Sequence, residues 1–186
     1  MQSLRAYCAT LAGLVESTSA AIYERQRLLV RAGLIDLEGR GPGGGTKATP
    51  NNVALLVIAL LAVDTLADAE RTVRAIAGAK PMAGPRENIL AARTFASAVS
   101  MILNDAELAA HTSAITVSRS SHHASIELFG PVARVPKGHW TLVYAHTMRS
   151  PPPYRIEARV DGVILRMIAT NLAAMRAEMH GKEDQQ

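Results

Sequence analysis

The sequence predicts an α+β fold: a short helix-turn-helix unit and two long central helices, then a small antiparallel β-sheet closed by a C-terminal helix. Three observations carry that prediction. Apolar residues recur at three- and four-residue steps from Leu4 to about Ala110, the period of one buried helix face. Beyond His111 the pattern changes to short runs rich in β-branched and aromatic residues, bounded by turn residues. Glycine and proline gather at a few places, so the breaks between elements stand out.

The first helix follows from Leu4, Tyr7, Cys8, Leu11 and Leu14, one apolar stripe that Gly13 is expected to break. Ser17 is placed to cap a second helix with an apolar face of Ile22, Tyr23, Leu28 and Leu29. Gly33 is placed to end that helix as a left-handed cap, and Leu34 to Glu38 then alternates as a strand toward the cluster GRGPGGG. Thr49-Pro50 reads as a helix start, a hydroxyl cap before a proline whose missing N–H costs nothing there. The helix it opens is expected to reach about Ala77, apolar on all sides in its first half and carrying Asp64, Asp68, Glu70, Arg71 and Arg74 outside in its second.

GAKPMAGPRE, residues 78–87, reads as a hinge, and a further helix is expected from about Pro85 to Ala110. AITVSR, ASIELFG, HWTLVYAHT and YRIEARV read as three or four antiparallel strands. SPPP before the last of them is a loop, because proline cannot donate to a ladder. Asp161-Gly162 makes a turn, Val163 to Met179 a closing helix, and HGKEDQQ a polar tail. The expected domains are therefore 1–62, a helical linker or oligomerisation region over 63–110, a β-plus-helix domain over 111–180, and a disordered tail at 181–186.

Composition narrows the function classes. With 48% apolar and 19% charged residues the chain is globular rather than disordered. At 4% aromatic, its core must be built of alanine, leucine and valine. The net charge of +4 is compatible with a polyanionic partner. Basic residues are in excess in two regions. Arg5, Arg25, Arg27, Arg31, Arg40 and Lys47 stand against four acids in residues 1–50, and residues 111–160 carry only Glu127 and Glu157 as acids. Cys8 is the only cysteine, so no intrachain disulfide can form and a reducing cytoplasm is expected. The most apolar run, Val53 to Val63, stops at Asp64, well short of the roughly 20 residues that a membrane-spanning helix needs. The start of the chain lacks the basic-then-apolar pattern of a leader.

Residues 13–47 are the most specific stretch. A helix that enters the major groove of a duplex presents short polar side chains at its N-terminal end, and Glu16, Ser17, Thr18, Ser19 and Ala20 supply them. Arg25, Arg27 and Arg31 follow, and cations on the outer side of such a helix contact the phosphate backbone. The run GLVEST…LLVRAGLI…GRGPGGG resembles winged helix-turn-helix regulators of bacterial and phage type, and AAIYERQRLL carries a fainter likeness to the MerR group. The resemblance covers residues 4–62. It implies a wing whose hairpin tip lies along phosphates or in the minor groove, with Arg40 and Lys47 as its charges and its glycines permitting close approach.

Other motifs carry less. Gly39, Gly41 and Gly44 satisfy G-x-G-x-x-G, but a dinucleotide site needs a helix opening directly on the last glycine, and this helix begins only at Pro50. In GPGGGTK a threonine replaces the glycine of a P-loop and Ala48 replaces its hydroxyl. His111, His122, His123, His139 and His146 gather in the β region, yet His122 and His123, adjacent in a strand, would face opposite ways, so no metal is expected. Ser120 or Ser121 with a histidine is the sole nucleophile option, without a G-x-S-x-G elbow.

The expectation is a duplex-DNA-binding transcriptional regulator of bacterial or prophage origin, not an enzyme, with no cofactor. It would act as a homo-oligomer, because two long apolar helices bury more surface than one small chain supplies. Its DNA-binding residues would be Ser17, Thr18, Ser19, Arg25, Arg27, Arg40 and Lys47, and its C-terminal region a dimerisation or sensor module. Two alternatives stand beside it: a phage terminase small subunit, similar in the order of its elements, and a protein–protein adaptor whose helix-turn-helix binds no DNA.

Overall fold

A computed structural model describes residues 2–37, 45–63, 67, 69–82, 88–132, 135–146 and 156–183, with side chains as far as residue 178. Among these residues the fold is mixed α+β, with seven helices and one five-stranded antiparallel sheet. None of the helices in the described residues is long and apolar enough to cross a membrane.

Helix α1, Leu4–Leu14, is capped by Ser3, whose Oγ accepts from the Ala6 amide, and buries Leu4, Tyr7, Cys8, Leu11 and Ala12 as one stripe. Helix α2, Ser19–Arg31, crosses it and inserts Ile22, Gln26 and Leu29. Gln26 is buried because its Oε1 accepts from the Cys8 thiol at 3.3 Å. Gly33 at φ +64° ends this helix in the left-handed cap that the sequence predicts. Two local expectations change. Thr18, not Ser17, caps α2, and α1 runs one residue past Gly13, the chain reversing at Glu16 with φ +50°. The expected strand after Gly33 is not formed over residues 34–37. The amides of Leu34 and Ile35 bond back to the Leu29 carbonyl, so they are committed to the helix end rather than to a partner strand.

The two long central helices are each broken in two. Helix α3, Pro50–Ala62, starts at the Thr49-Pro50 cap as expected but stops at Val63, which is extended at φ −141° and ψ 139°. Side chains from elsewhere take over its last carbonyls: Arg119 Nε donates to Leu61 O at 2.8 Å and Arg25 to Val63 O at 3.3 Å. Helix α4, Ala69–Ala77, follows as a separate amphipathic rod. The expected helix from Pro85 is not helical over 88–94, where Ala91 has φ +52° and Asn88 Nδ2 bonds the Ala92 carbonyl. Helix α5, Phe95–Asn104, begins instead at a reciprocal capping box of Thr94 and Ser97. Asp105, extended, ends α5 and uses its carboxylate to cap α6, Ala106–Ala110.

The sheet has strand order β1-β4-β3-β2-β5, every pair antiparallel. Strands β2 (Thr112–Ser118), β3 (His123–Val132) and β4 (Val135–Ala145) form a meander in the places predicted. β5, Glu157–Asp161, adds to the β2 edge, and β1, Lys80–Pro81, pairs with the end of β4 inside the segment read as a hinge. Register places Val160, Ile115, Ile126 and Leu142 in one row across four strands, all buried. The alternate row, Arg159, Thr116, Ser125 and Val143, faces away from the helices.

Helix α7, Gly162–Glu183, leaves β5 without a loop, packs on α5 and α6, and runs past Met179 into the first residues of the expected tail. Glycine is needed at its first position, since a Cβ on Gly162 would lie 1.7 Å from the Thr112 carbonyl oxygen. One hydrophobic cluster runs from Leu4 through α3 and α5 to Leu172, and α3 is its axis: from Asn52 to Ala62 every residue except Leu60 is buried.

Candidate functional site

The turn between α1 and α2 is fixed by backbone bonds. Val15 N–H reaches Leu11 O and Ser17 N–H reaches Ala12 O, both at 3.0 Å, and Thr18 Oγ1 then accepts from the Ala21 amide at 3.1 Å. This leaves Thr18, Ser19 and Ala20 exposed at the N-terminus of α2, where backbone N–H groups and the helix dipole favour negative charge. Ser17 is half-buried and faces inward.

Along α2, Ala20, Glu24, Arg27 and Arg31 form one exposed face at helical spacing. Arg27 pairs with Glu24 at 3.0 Å, an exposed ion pair of small energetic value. Beside this face the Arg5 guanidinium of α1 lies 4.9 Å from the Tyr23 ring centroid. Arg5 is a basic residue absent from the site that the sequence predicts. Its signal was its place on the polar side of the α1 stripe, and its pairing with Tyr23 exists only once the helices cross. Tyr23, Gln26, Val30, Arg31 and Leu37 line a shallow groove of about 330 Å³ on the same helix, and Leu37 is 67% exposed.

Lys47 is exposed and stands opposite Ser3 in an isolated antiparallel bridge, Ser3 being two residues from Arg5. Bonds from Leu4 N to Thr46 O and from Ala48 N to Gln2 O hold that strand-like segment on the start of α1. Thr46 Oγ1 reaches the Asp36 carbonyl at 3.4 Å, so the two sides of the glycine-rich segment come together at its base. Arg40 and the glycines Gly39, Gly41, Gly43 and Gly44 lie outside the described residues. Of the predicted residues, Thr18, Ser19 and Arg27 thus share one exposed helix. Arg25 points the other way, half-buried, donating to the carbonyls of Ala21 at 3.1 Å and Val63 at 3.3 Å.

Arg25 faces a second feature that no sequence motif signals, a cleft of about 610 Å³ between the α1–α2 turn and β5. Val15, Glu16 and Ser17 form one wall; Arg119, Arg159 and Asp161 form the other; Val57 and Leu60 of α3 lie between. Arg159 donates to Asp161 at 3.1 Å and to Glu127 at 3.3 Å, and these carboxylates, Asp161 first, push its pKa further up.

The histidines are dispersed by the fold. His111 bonds the Glu107 carbonyl and packs on Phe129 at 5.2 Å, and His139 lies opposite Phe129 on β4. His122 sits in the β2–β3 turn at φ +52°, not in a strand, and register puts His146 next beyond the His123–Ala145 pair. Burial first, then His146, Arg71 and His123, holds the His122 pKa below its usual value. Among the described residues no group of three His, Cys, Asp or Glu side chains is arranged to hold a metal. Ser121 Oγ donates to Ser118 Oγ at 2.8 Å. Burial raises the Cys8 thiol pKa and pushes Tyr7 and Tyr144 to about 12. No family model matches this chain, and neither the curated proteins nor the solved structures give a match.

Proposed function

We propose that the chain binds duplex DNA, with α1 and α2 as a helix-turn-helix, α2 as its recognition helix and the segment around Lys47 as a wing, and that it acts as an oligomeric transcriptional regulator. One observation carries the reading: the exposed face of α2 begins with small polar residues, Thr18 and Ser19, and continues into Arg27 and Arg31, with Arg5 alongside. Small residues permit close approach to base edges at the helix N-terminus, and the arginines further along reach the phosphates. The four-residue turn and the packing of α2 against both α1 and α3 hold that helix rigidly, as insertion into a groove requires. Arg25, turned into the cleft, braces α2 against the end of α3 instead of meeting DNA.

Gel-shift titration of the full chain on mixed-sequence duplex at two salt concentrations tests this. Arg27→Ala with Arg31→Ala should weaken binding and lower the salt slope by about one for each phosphate that is no longer neutralised. Lys47→Ala should act in the same way. Unchanged affinity and slope in the double variant would remove α2 from the interface. Native mass decides between a regulator-sized dimer or tetramer and a packaging ring.

A further inference from the structure

Helix α2 has a flank on each side of its outer face, and the two differ in what they offer a polyanion. On one, Ala21, Arg25 and Leu28 are half-buried, and the Arg25 guanidinium is committed to the carbonyls of Ala21 and Val63. On the other stand Tyr23 and Val30, also half-buried, and here the Arg5 guanidinium of α1 lies 4.9 Å from the Tyr23 ring centroid. Arg27 follows Tyr23 by one helical turn and lines the same groove, so the ring has a cation beside it from each helix.

Arg5 is exposed, but its backbone is anchored. Leu4 before it and Cys8 one turn on are buried, and the Leu4 amide bonds the Thr46 carbonyl at 2.7 Å. Its charge is also intact. Arg27, Arg74 and Arg159 each meet a carboxylate, whereas among the described residues no acid pairs with Arg5. A carboxylate aims a guanidinium and neutralises it. An aromatic face aims it and leaves the charge, and a guanidinium over a ring keeps N–H donors at its rim for phosphate oxygens. The Ser3–Lys47 bridge brings the segment around Lys47 to the same end of α1.

We propose that Arg5 contacts a phosphate of the duplex, that Tyr23 is the positioning residue that aims it, and that the backbone of one strand therefore runs along the α1 flank of α2. The inference rests on the DNA reading above and deepens it. It names the side of α2 that meets the phosphates, and it adds a contact made from outside the recognition helix. On the opposite flank Arg25 holds the end of α3 instead, so the grip on the duplex is one-sided.

Gel-shift titration of the full chain on mixed-sequence duplex, over a series of salt concentrations, is the test, with circular dichroism to show that each variant is folded. Arg5→Ala should lower the salt slope by about one and weaken binding on the order of tenfold at about 0.1 M salt. Arg5→Gln, which keeps a long polar side chain without the charge, should do the same. Tyr23→Leu should weaken binding about threefold, and Tyr23→Phe, which restores the ring face, should recover that loss. In an Arg5→Ala chain, Tyr23→Leu should cost nothing further, because the ring then has nothing to aim. An unchanged slope in both Arg5 variants overturns the proposal, and so does a Tyr23→Leu loss that persists without Arg5. A full chain without duplex affinity fells the DNA reading and this inference with it. Duplex affinity whose salt slope ignores Arg5 fells this inference alone.

Discussion

Helices α2 and α3 are each 13 residues long, and each begins at a threonine whose hydroxyl accepts from the backbone amide three residues on. Beyond that shared start they diverge. α3 is buried from Asn52 to Ala62 except at half-covered Leu60, whereas α2 buries only Ile22, Gln26 and Leu29 and leaves a basic face in solvent. Their C-terminal ends differ too: α2 ends locally at Gly33, and α3 ends where Arg25 and Arg119, from two other elements, take its carbonyls. A common local signal thus starts two helices of opposite use. One is the axis that the rest of the chain packs around, and the other is free to meet a partner because others carry the core.

The sharpest way to test that contrast is to remove apolar volume from one helix and charge from the other. Leu56→Ala, at a fully buried position on α3, should cost about 3 kcal/mol, whereas Arg27→Ala with Arg31→Ala should stay within about 0.5 kcal/mol. Urea unfolding followed by circular dichroism measures both. Equal losses would mean that α2 carries fold as well as surface.

Alkali separates the two ends of the core. Tyr7 is buried on α1 and Tyr144, on β4, packs on Phe95, and both phenols lack a hydrogen-bond partner among the described residues. Each folded pKa, about 12, is raised above the ordinary value of 10, so the neutral phenol is favoured in the native state. The stability this gives is whole below pH 10 and is lost as pH climbs through 12, at up to about 1.4 kcal/mol per pH unit for each group. Tyr7→Phe and Tyr144→Phe should each flatten that decline, and below pH 10 neither should destabilise, since an unpaired hydroxyl is removed from the core. Unfolding midpoints at pH 9 and pH 11 decide it.

Thr18→Ala and Thr49→Ala compare the two starts directly. Each should cost about 1 kcal/mol, because a cap replaces one backbone partner whatever the helix later packs against. A much larger loss at Thr49 would show that Asn52, whose amide also holds the Lys47 carbonyl at 2.9 Å, makes that cap part of a wider network. The smallest effect is expected in acid. His122 is held neutral by burial and by the neighbouring His146, Arg71 and His123, so its contribution is present above its unfolded pKa and lost as pH falls through the lower folded value. His122→Asn, which tolerates the positive φ, should flatten the melting temperature between pH 7 and pH 5.

Much of the fold was legible because it rests on local chemistry. The Thr49-Pro50 start, the Gly33 cap, the β2–β3–β4 meander and the closing helix are all where spacing and composition place them. Of the candidate site, the exposed start of α2 with Thr18, Ser19 and Arg27 was legible for the same reason: helical period alone separates its buried side from its wet side. The departures have a common origin. A continuous apolar period extends α3 past Val63 and α5 backward toward Pro85, since periodicity does not register carbonyls taken by Arg119 or a capping box that restarts a helix at Thr94.

The sequence by itself determined the type of most elements, the helix start at Thr49-Pro50 and the cap at Gly33, and that Arg27 and Arg31 share an outer face, because those follow from bonds and periods within about four residues. Tertiary structure alone decided that Lys80–Pro81 becomes a strand, that Arg5 stacks on Tyr23, and that Arg25 turns inward to a cleft shared with Arg119 and Leu60. Such choices depend on which distant groups arrive at the same place. A guanidinium is oriented by the acceptors around it in space, and those of Arg25 include, besides the local Ala21 carbonyl, a carbonyl 38 residues along the chain.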